Sequence, residues 1–216
     1  MQELFQMIYP EHNMKKILIA THNPGKLQEI KEFLSGLPID LVSLSDLGIT
    51  QDVVEDGVTY EENSQKKAIF YAKLTNLPAI SDDGGLQIAA LNDEPGVKSR
   101  RWLGYAATDD ELIEHLRKVS LRLPDSNRNA KFVAVVSLAM PNGKVWSARG
   151  EISGQIAKDP LIRTTEGLPY RSFFYLPEIE KFYYETELSE DEEVKYNHRR
   201  HAINSLIPIL RTELLL

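Results

Sequence analysis

The hydrophobic and polar positions near the start of the chain predict a strand, a helix and a second strand. Met14–Ala20 leads through two lysines into a short apolar run that is typical of a buried strand. After a polar loop, apolar residues recur at helical spacing and mark one face of a helix, at Leu27, Ile30, Phe33 and Leu34. The next apolar stretch, residues 39–44, predicts the second strand.

The middle of the chain carries similar signals. Thr59 and Glu62 form a capping-box pattern, and the helix behind them is predicted to run to about Leu74. Another amphipathic helix is predicted over residues 109–119. Residues 131–140 and 145–156 are predicted to be strands joined by a hairpin turn. The first of these strands is apolar on both faces, so we expect both faces to be covered.

The last part of the chain is predicted to be irregular and then helical. Residues 167–177 are rich in aromatic side chains and follow no clear period. Ser189 begins a capping signal, and acidic residues follow it in the first helical turn. One helix is predicted from there onward, with a kink or break before Pro208.

Two adjacent carboxylates, Asp82 and Asp83, stand between an apolar run at 78–80 and the pair Gly84–Gly85. The pattern predicts a strand that ends at the carboxylates and a tight turn at the glycines. Like charges this close repel each other, which raises one pKa or attracts a cation such as Mg²⁺. Taken alone, the stretch is better explained as a solvated turn, because Asp and Gly are common turn residues.

The loop at residues 21–26 is a candidate anion site, because backbone N–H groups at a helix start and the Lys26 ammonium suit a phosphate. It does not have the sequence of a phosphate-binding P-loop, and a helix cap with a surface lysine is the simpler explanation. Lys67 shares a helix face with Asn63, and its alternative is a solvated lysine.

Composition and charge narrow the possible functions. The chain has 216 residues, of which 42% are hydrophobic, and this fits one domain with an adequate core. Its formal charge of −7 argues against a duplex-binding protein. The absence of cysteine excludes disulfides, thiolate zinc sites and a cysteine nucleophile. We find no signal peptide or membrane-spanning run, expect a cytoplasmic protein, and interpret residues 1–13 as an N-terminal extension.

An ordered set of motifs from Lys16 to Leu210 resembles the inosine triphosphate pyrophosphatase family, which removes non-canonical purine nucleoside triphosphates. Each motif alone is weak, but their order is specific. They are Thr21-x-Asn23-x-x-Lys26, Glu55, Gly57, Thr59-Tyr60-x-Glu62-Asn63-x-x-x-Lys67, Leu77-Pro78-Ala79, Ser81-Asp82-Asp83-x-Gly85-Leu86, Pro95-Gly96-x-x-Ser99-x-Arg101 and His198-Arg199. This order outweighs the explanation of Asp82 and Asp83 as a solvated turn.

The resemblance implies an α/β fold, with a long mixed sheet flanked by helices and two lobes around a central cleft. It places residues 14–216 in a single two-lobed domain and implies a homodimer. The implied reaction is Mg²⁺-dependent hydrolysis of a nucleoside triphosphate to a monophosphate and pyrophosphate. Such catalysis is mainly positioning and charge neutralisation.

The resemblance also implies roles for individual residues. Thr21, Asn23, Lys26 and Lys67 would hold the phosphates. Glu55 and Asp83 would bind or orient Mg²⁺, and Asp83, backed by Asp82, would activate the attacking water. His198 and Arg199 would contact the base or the phosphate end.

Three departures from the family pattern affect the expected site. The family's Asp-Asp-Ser-Gly is Asp82-Asp83-Gly84-Gly85 here, so a hydroxyl is lost and the Gly84 N–H is its possible substitute. The family's Phe-Gly-Tyr-Asp-Pro is Leu168-Pro169-Tyr170-Arg171-Ser172, which reverses a charge in the base pocket. Glu193 takes the place of a lysine, unless Lys195 reaches back into the site.

Because Arg171 replaces an acceptor by donors, we predict a preference for a base edge rich in acceptors, such as that of a 6-oxopurine. Three alternatives stay open. They are a pyrophosphatase with another base preference, a nucleotide-binding protein without turnover, and a nucleic-acid-binding module that uses Arg100, Arg101, Arg199 and Arg200. The acidic net charge places the last of these far behind.

Overall fold

The computed structural model describes residues 14–184 and 186–216, so the predicted N-terminal extension lies outside the described residues. Within these residues the strands are β1 (Lys15–Ile19), β2 (Ile39–Ser43), β3 (Ala79–Ile88), β4 (Glu94–Pro95), β5 (Asn129–Ala139), β6 (Val145–Ile156), β7 (Phe174–Leu176) and β8 (Lys181–Phe182). They form one mixed eight-stranded sheet in the order β2-β1-β3-β5-β6-β7-β8, and β4 pairs with β3.

The helices flank this sheet, which confirms the predicted α/β class with a long mixed sheet. They are α1 (Pro24–Leu34), α2 (Tyr60–Thr75), α3 (Asp109–Ser120), α4 (Glu190–Tyr196) and α5 (His198–Leu214). Strand β1 pairs in parallel with β2 and with β3, and α1 and α2 supply the crossovers that parallel pairing requires. All other strand pairs are antiparallel.

Different helices cover the two faces of the central strands. Ile17, Ile80 and Val136 pack with side chains of α1 and α5 on one face. Leu18, Ala79 and Ala139 pack with α2 on the other face. Strand β5 is therefore buried on both sides, as its sequence predicts.

The predicted tight turn at Gly84–Gly85 is wrong, because β3 continues through both glycines to Ile88. A Cβ on Gly84 would lie 2.4 Å from the carbonyl oxygen of Val133, and one on Gly85 would lie 2.1 Å from the Ser99 hydroxyl. Glycine is needed at both positions because neighbouring chain segments approach the strand closely, and not because the chain turns there. Asp82 and Asp83 consequently lie in the middle of the strand, not at its end.

The predicted single C-terminal helix is also corrected. Asn197 has an extended backbone, with φ −105° and ψ 111°, and it separates α4 from α5. Its side-chain oxygen caps α5 by accepting from the backbone N–H groups of Arg199 and Arg200. The helix then passes through Pro208 to Leu214, so it does not break where proline predicted.

Candidate active site

A cleft of about 680 Å³ lies beside the centre of the sheet. The loop after β1, the middle of β3, the loop at 166–171 and the start of α5 all contribute to its lining. The structure brings most of the predicted site residues together there, namely Thr21, Asn23, Lys26, Glu55, Lys67, Asp83, Gly84, Tyr170, Arg171, His198 and Arg199. Asp82 lies directly beneath this lining, and Lys195 lies elsewhere.

Strand β3 directs Asp82 and Asp83 to opposite faces, because successive side chains alternate along a strand. Asp82 shares a face with Ile80 and meets α1 and α5. Asp83 shares the other face with Ser81 and meets α2. Because they are consecutive residues on one strand, the two carboxylates have different neighbours on opposite faces of the sheet.

Asp82 is a fully buried anion between two cations. Its Oδ2 lies 2.9 Å from Arg199 Nε and 3.2 Å from Lys26 Nζ. Burial alone would raise the pKa of Asp82, but the charges of Lys26 and Arg199 hold it well below its ordinary value. Asp82 therefore stays ionised and fixes the two cations at the cleft wall.

Asp83 has the opposite character. Burial raises the pKa of Asp83 above its ordinary value, although Lys67 and Lys26 partly offset this effect. Its Oδ2 accepts from Asn63 Nδ2 at 3.1 Å, and its Oδ1 accepts from the Gly84 N–H at 3.0 Å. A buried carboxylate with a raised pKa is suited to take up a proton.

Lys67 and Glu55 form an ion pair at the mouth of the same site. Lys67 Nζ donates to Glu55 Oε1 and also to the backbone oxygen of Asp82, at 2.6 Å. Burial alone would lower the pKa of Lys67, but the carboxylates of Glu55, Asp83 and Asp82 raise it. Lys67 is thus a permanent cation that binds the Glu55 carboxylate and the backbone of Asp82.

The donor set at this point fits a hard divalent cation. Glu55 and Asp83 both line the cleft and interact through their charges, since Glu55 helps to raise the pKa of Asp83. Mg²⁺ is usually bound by one or two carboxylates together with substrate phosphates. No group of three or more His, Cys, Asp or Glu side chains suited to a metal occurs within the described residues, and a site shared with a substrate needs none.

Asn23 connects the predicted phosphate loop to the predicted base pocket. Its side-chain oxygen caps α1 by accepting from the Lys26 N–H, and its Nδ2 donates to the Gly167 carbonyl at 2.8 Å. Gly167 has φ +79°, and a Cβ there would lie 2.4 Å from the Asn23 side-chain oxygen, so this contact requires glycine. The Asn23 amide therefore positions two loops, while Thr21 accepts from the Asn23 N–H.

A buried ionic cluster lies behind the cleft, and its centre, Glu29, was not predicted. Glu29 accepts from Arg171, from Arg199 and, at 2.8 Å, from Asn197 Nδ2. Burial alone would raise the pKa of Glu29, but Arg171 and Arg199 lower it to about 2. The available signal was a glutamate on the apolar face of α1, in line with Ile30 and Phe33.

Comparison with known proteins shows which family this chain belongs to. The family model of the Ham1 family matches residues 17–209. The chain belongs to the Ham1 family. It is 40% identical over 192 residues to a dITP/XTP pyrophosphatase of Thermus thermophilus, covering 89% of this chain and 90% of that protein. The corresponding values for a dITP/XTP pyrophosphatase of Bacillus subtilis are 36% identity, 91% and 98%. The predicted family resemblance is confirmed.

Solved structures of Ham1 proteins have the same fold. A HAM1 protein from Coxiella burnetii superposes with a TM-score of 0.76 at 36% identity, covering 92% of this chain and 100% of the other. The Staphylococcus aureus Ham1 protein gives a TM-score of 0.75 at 35% identity, with the same coverage.

The predicted contact between Arg171 and the base needs correction. We predicted that its guanidinium would present donors to a base. In the structure Arg171 is 3% exposed, and its Nη2 donates to Glu29 and, at 3.0 Å, to the Tyr183 hydroxyl. Both hydrogens of this nitrogen are therefore used inside the protein.

Lys195 does not reach the cleft. Its side chain is exposed, and its ammonium lies 4.7 Å from the centre of the Tyr196 ring. Glu193 instead points inward, where its Oε1 accepts from Asn197 Nδ2 at 3.3 Å. Burial there raises the pKa of Glu193. The lysine expected from the family pattern is thus not replaced from two positions further on.

His198 and Tyr170 lie at the predicted base end of the cleft. The His198 ring stacks on Phe132, with ring centres 5.2 Å apart and planes 18° apart. Burial lowers the pKa of His198 well below its ordinary value, and the Arg199 charge adds to this effect. Tyr170 donates its hydroxyl to the Ser99 carbonyl at 2.6 Å. Both rings are held rigidly.

Each of the four arginines of the nucleic-acid alternative contacts another group within the protein. Arg100 pairs with Asp109, and Arg101 Nη2 donates to the Glu55 carbonyl at 2.7 Å. Arg199 is buried, and the Arg200 guanidinium lies over the Phe33 ring.

Across residues 14–184 and 186–216, every helix is too short or too polar to span a bilayer.

Proposed function

We propose that this chain hydrolyses non-canonical purine nucleoside triphosphates, such as ITP, dITP and XTP, to monophosphate and pyrophosphate. One observation carries the proposal. Asp83, a buried carboxylate with a raised pKa, lies in a cleft whose wall holds the cations Lys26 and Lys67. The names of the dITP/XTP pyrophosphatases to which the chain is 36–40% identical agree with this chemistry.

The triphosphate binds at the loop after β1. The N-terminus of α1 presents backbone N–H groups, and Lys26 and Lys67 supply positive charge close to them. Thr21 lines the same part of the cleft. Because Asp82 holds Lys26 by an ion pair, this cation is already in place before the substrate arrives.

Asp83 acts as the general base. It removes a proton from a water molecule, whose oxygen forms a bond to the α-phosphorus. The bond from that phosphorus to the bridging oxygen breaks, and pyrophosphate leaves with the electron pair. Asn63 holds the Asp83 carboxylate in place by its 3.1 Å hydrogen bond. The Lys67 ammonium offsets the negative charge that develops on the phosphate oxygens.

Glu55 and Asp83 are the residues that would hold Mg²⁺. When bound, this ion neutralises phosphate charge and supports departure of pyrophosphate. Glu55 remains ionised for this task, because Lys67, Lys26 and Arg101 lower its pKa more than burial raises it. The choice of Mg²⁺ among divalent ions is part of the proposal.

The base binds at the other end of the cleft. Tyr170, Arg171, His198 and Arg199 line this end, and Leu168 and Gly167 border it. His198 supplies a neutral imidazole there.

We also propose that residues 14–216 act as one two-lobed domain and that the protein is a homodimer. We propose a cytoplasmic location, with no nucleic-acid or membrane partner.

Measuring pyrophosphate release from a panel of nucleoside triphosphates with and without Mg²⁺ tests this function. The panel contains ITP, XTP, GTP, ATP and a pyrimidine triphosphate. Preference for ITP or XTP, lost on chelation, supports the proposal. Fast release with another base preference would keep the chemistry and overturn the substrate class. Nucleotide binding without any release would leave a binding protein.

A further inference from the structure

Tyr183 lies between Arg171 and His198 and makes a hydrogen bond to each. Arg171 Nη2 is 3.0 Å from the Tyr183 hydroxyl, and that hydroxyl is 3.3 Å from His198 Nδ1. All three side chains are buried, and Tyr183 is fully so. Tyr183 is not among the residues that line the cleft.

The direction of these hydrogen bonds follows from the number of protons on each group. A guanidinium only donates, so the Tyr183 oxygen must accept from Arg171. The other hydrogen of the same nitrogen goes to Glu29, which fixes the guanidinium. The Tyr183 oxygen is therefore the acceptor at one end of the series.

The Tyr183 proton must then find an acceptor of its own, because buried hydroxyl groups are hydrogen-bonded. Among the described residues, His198 Nδ1 is the acceptor within hydrogen-bond distance of this hydroxyl. Burial lowers the pKa of His198, so the ring is neutral and carries a single proton. If Nδ1 accepts, that proton is on Nε2.

The Nε2 atom is the ring nitrogen left for the cleft, because Nδ1 faces the buried Tyr183 hydroxyl. His198 lines the cleft, and its Nε2 makes no hydrogen bond to any residue in the part of the chain that the structure describes. Phe132 stacks against the ring, which prevents it from turning over freely. The ring therefore offers the cleft a donor, in a fixed orientation.

We propose that Tyr183 determines base specificity by holding His198 in the Nε2–H tautomer. The inference rests on the proposed function, since it needs the base at the His198 end of the cleft. An Nε2–H donor matches the O6 acceptor of inosine, xanthosine or guanosine, whereas adenine presents an amino donor at that position. The other tautomer would reverse this preference. Tyr183 is thus a positioning residue that acts through His198.

The tautomer can be measured without substrate. In nucleotide-free protein with ¹⁵N-labelled histidine, NMR distinguishes a protonated ring nitrogen from an unprotonated one, and loss of signal in His198→Gln assigns the resonances. We expect His198 to have unprotonated Nδ1 and protonated Nε2. Protonated Nδ1 in the wild type would overturn the inference, whatever the enzyme hydrolyses.

The variant Tyr183→Phe keeps the ring and removes the hydroxyl. We expect mixed tautomers in its spectrum and a fall of about tenfold in the ratio of kcat/KM for ITP to that for ATP, equivalent to about 1.4 kcal/mol. Tyr196→Phe is the matched control, because it also removes a hydroxyl from a buried tyrosine. The Tyr196 hydroxyl donates to Glu178 at 3.0 Å and does not contact a histidine. This variant should leave the spectrum and the ratio unchanged.

An unchanged tautomer and an unchanged ratio in Tyr183→Phe would contradict the proposal. If Tyr183→Phe does not fold, the wild-type spectrum still decides the tautomer. If no nucleoside triphosphate is hydrolysed at all, the proposed function and the specificity role fail together, while the spectrum separately shows whether the assignment of the histidine proton was correct.

Discussion

Asp82 and Asp83 are consecutive on β3, yet their carboxylates lie on opposite faces of the sheet and their pKa values are shifted in opposite directions. The difference arises from their partners. Asp82 meets the cations of α1 and α5, whereas Asp83 meets the amide of Asn63 and lies near Glu55. One carboxylate is therefore a fixed charge, and the other can accept a proton.

This difference predicts opposite effects on stability. Asp82→Asn leaves Lys26 and Arg199 without their shared anion, and we expect it to lower the free energy of unfolding by about 3 kcal/mol. Asp83→Asn removes a carboxylate whose ionisation is costly, so stability should stay the same or rise. Urea unfolding at pH 7 measures both variants, and equal losses would contradict the assignment.

The raised pKa of Asp83 predicts the pH dependence of activity. A base works only when deprotonated, so kcat/KM should increase with pH through a pKa above the ordinary aspartate value. Asn63→Leu removes a hydrogen bond that lowers this pKa, and the acid limb should therefore move to higher pH. Gln65→Leu, on the same helix, is the control that should not move it.

Glu29 predicts a second pH effect, on stability. Its pKa is about 2 in the folded protein against an ordinary value of 4.5. The stabilisation it provides, on the order of 3 kcal/mol, is present above pH 4.5 and is lost as the pH falls towards 2. The wild type should thus lose more stability between pH 5 and pH 3 than Glu29→Gln does.

Glu32→Gln is the control for this effect, because Glu32 lies on the same helix but is exposed. Its stability should follow the wild-type pH dependence. Parallel curves for the wild type and Glu29→Gln would show that Glu29 does not have the depressed pKa that its two arginines impose.

Gly85 predicts a packing effect. Alanine there would place its Cβ 2.6 Å from the backbone oxygen of Gly96, which cannot move cheaply. We expect Gly85→Ala to destabilise the protein by about 1–3 kcal/mol, measured as a lower thermal midpoint. Gly36→Ala, where no atom lies within 4 Å of the added carbon, should be neutral or better. A neutral Gly85→Ala would contradict the close approach.

The local elements were largely predictable because their signals are local. The capping box at Thr59 and the hairpin between β5 and β6 appear in the structure as the sequence predicts. Gly84–Gly85 misled the prediction, because sequence does not distinguish a glycine that turns the chain from one that admits a neighbouring segment. Asn197, similarly, breaks the helix by a backbone conformation that its flanking sequence does not reveal.

The cleft residues were predictable in so far as motif order identified them, but their partners were not. Arg171 lines the cleft, yet its donors go to Glu29 and Tyr183, which are 142 and 12 residues away in sequence. Such pairing depends on tertiary contacts that no local pattern contains. The exposed position of Lys195 on α4 is likewise a matter of tertiary packing.

The rate of pyrophosphate release from ITP with Mg²⁺, compared between the wild type and Asp83→Asn, tests the central claim most directly. Asp93→Asn, at an exposed position outside the cleft, is the control and should keep the wild-type rate. If Asp83 is the general base, kcat should fall by about 10²–10⁴-fold in a folded protein. A wild-type rate in Asp83→Asn would contradict the account, because no proton acceptor would then remain at that position.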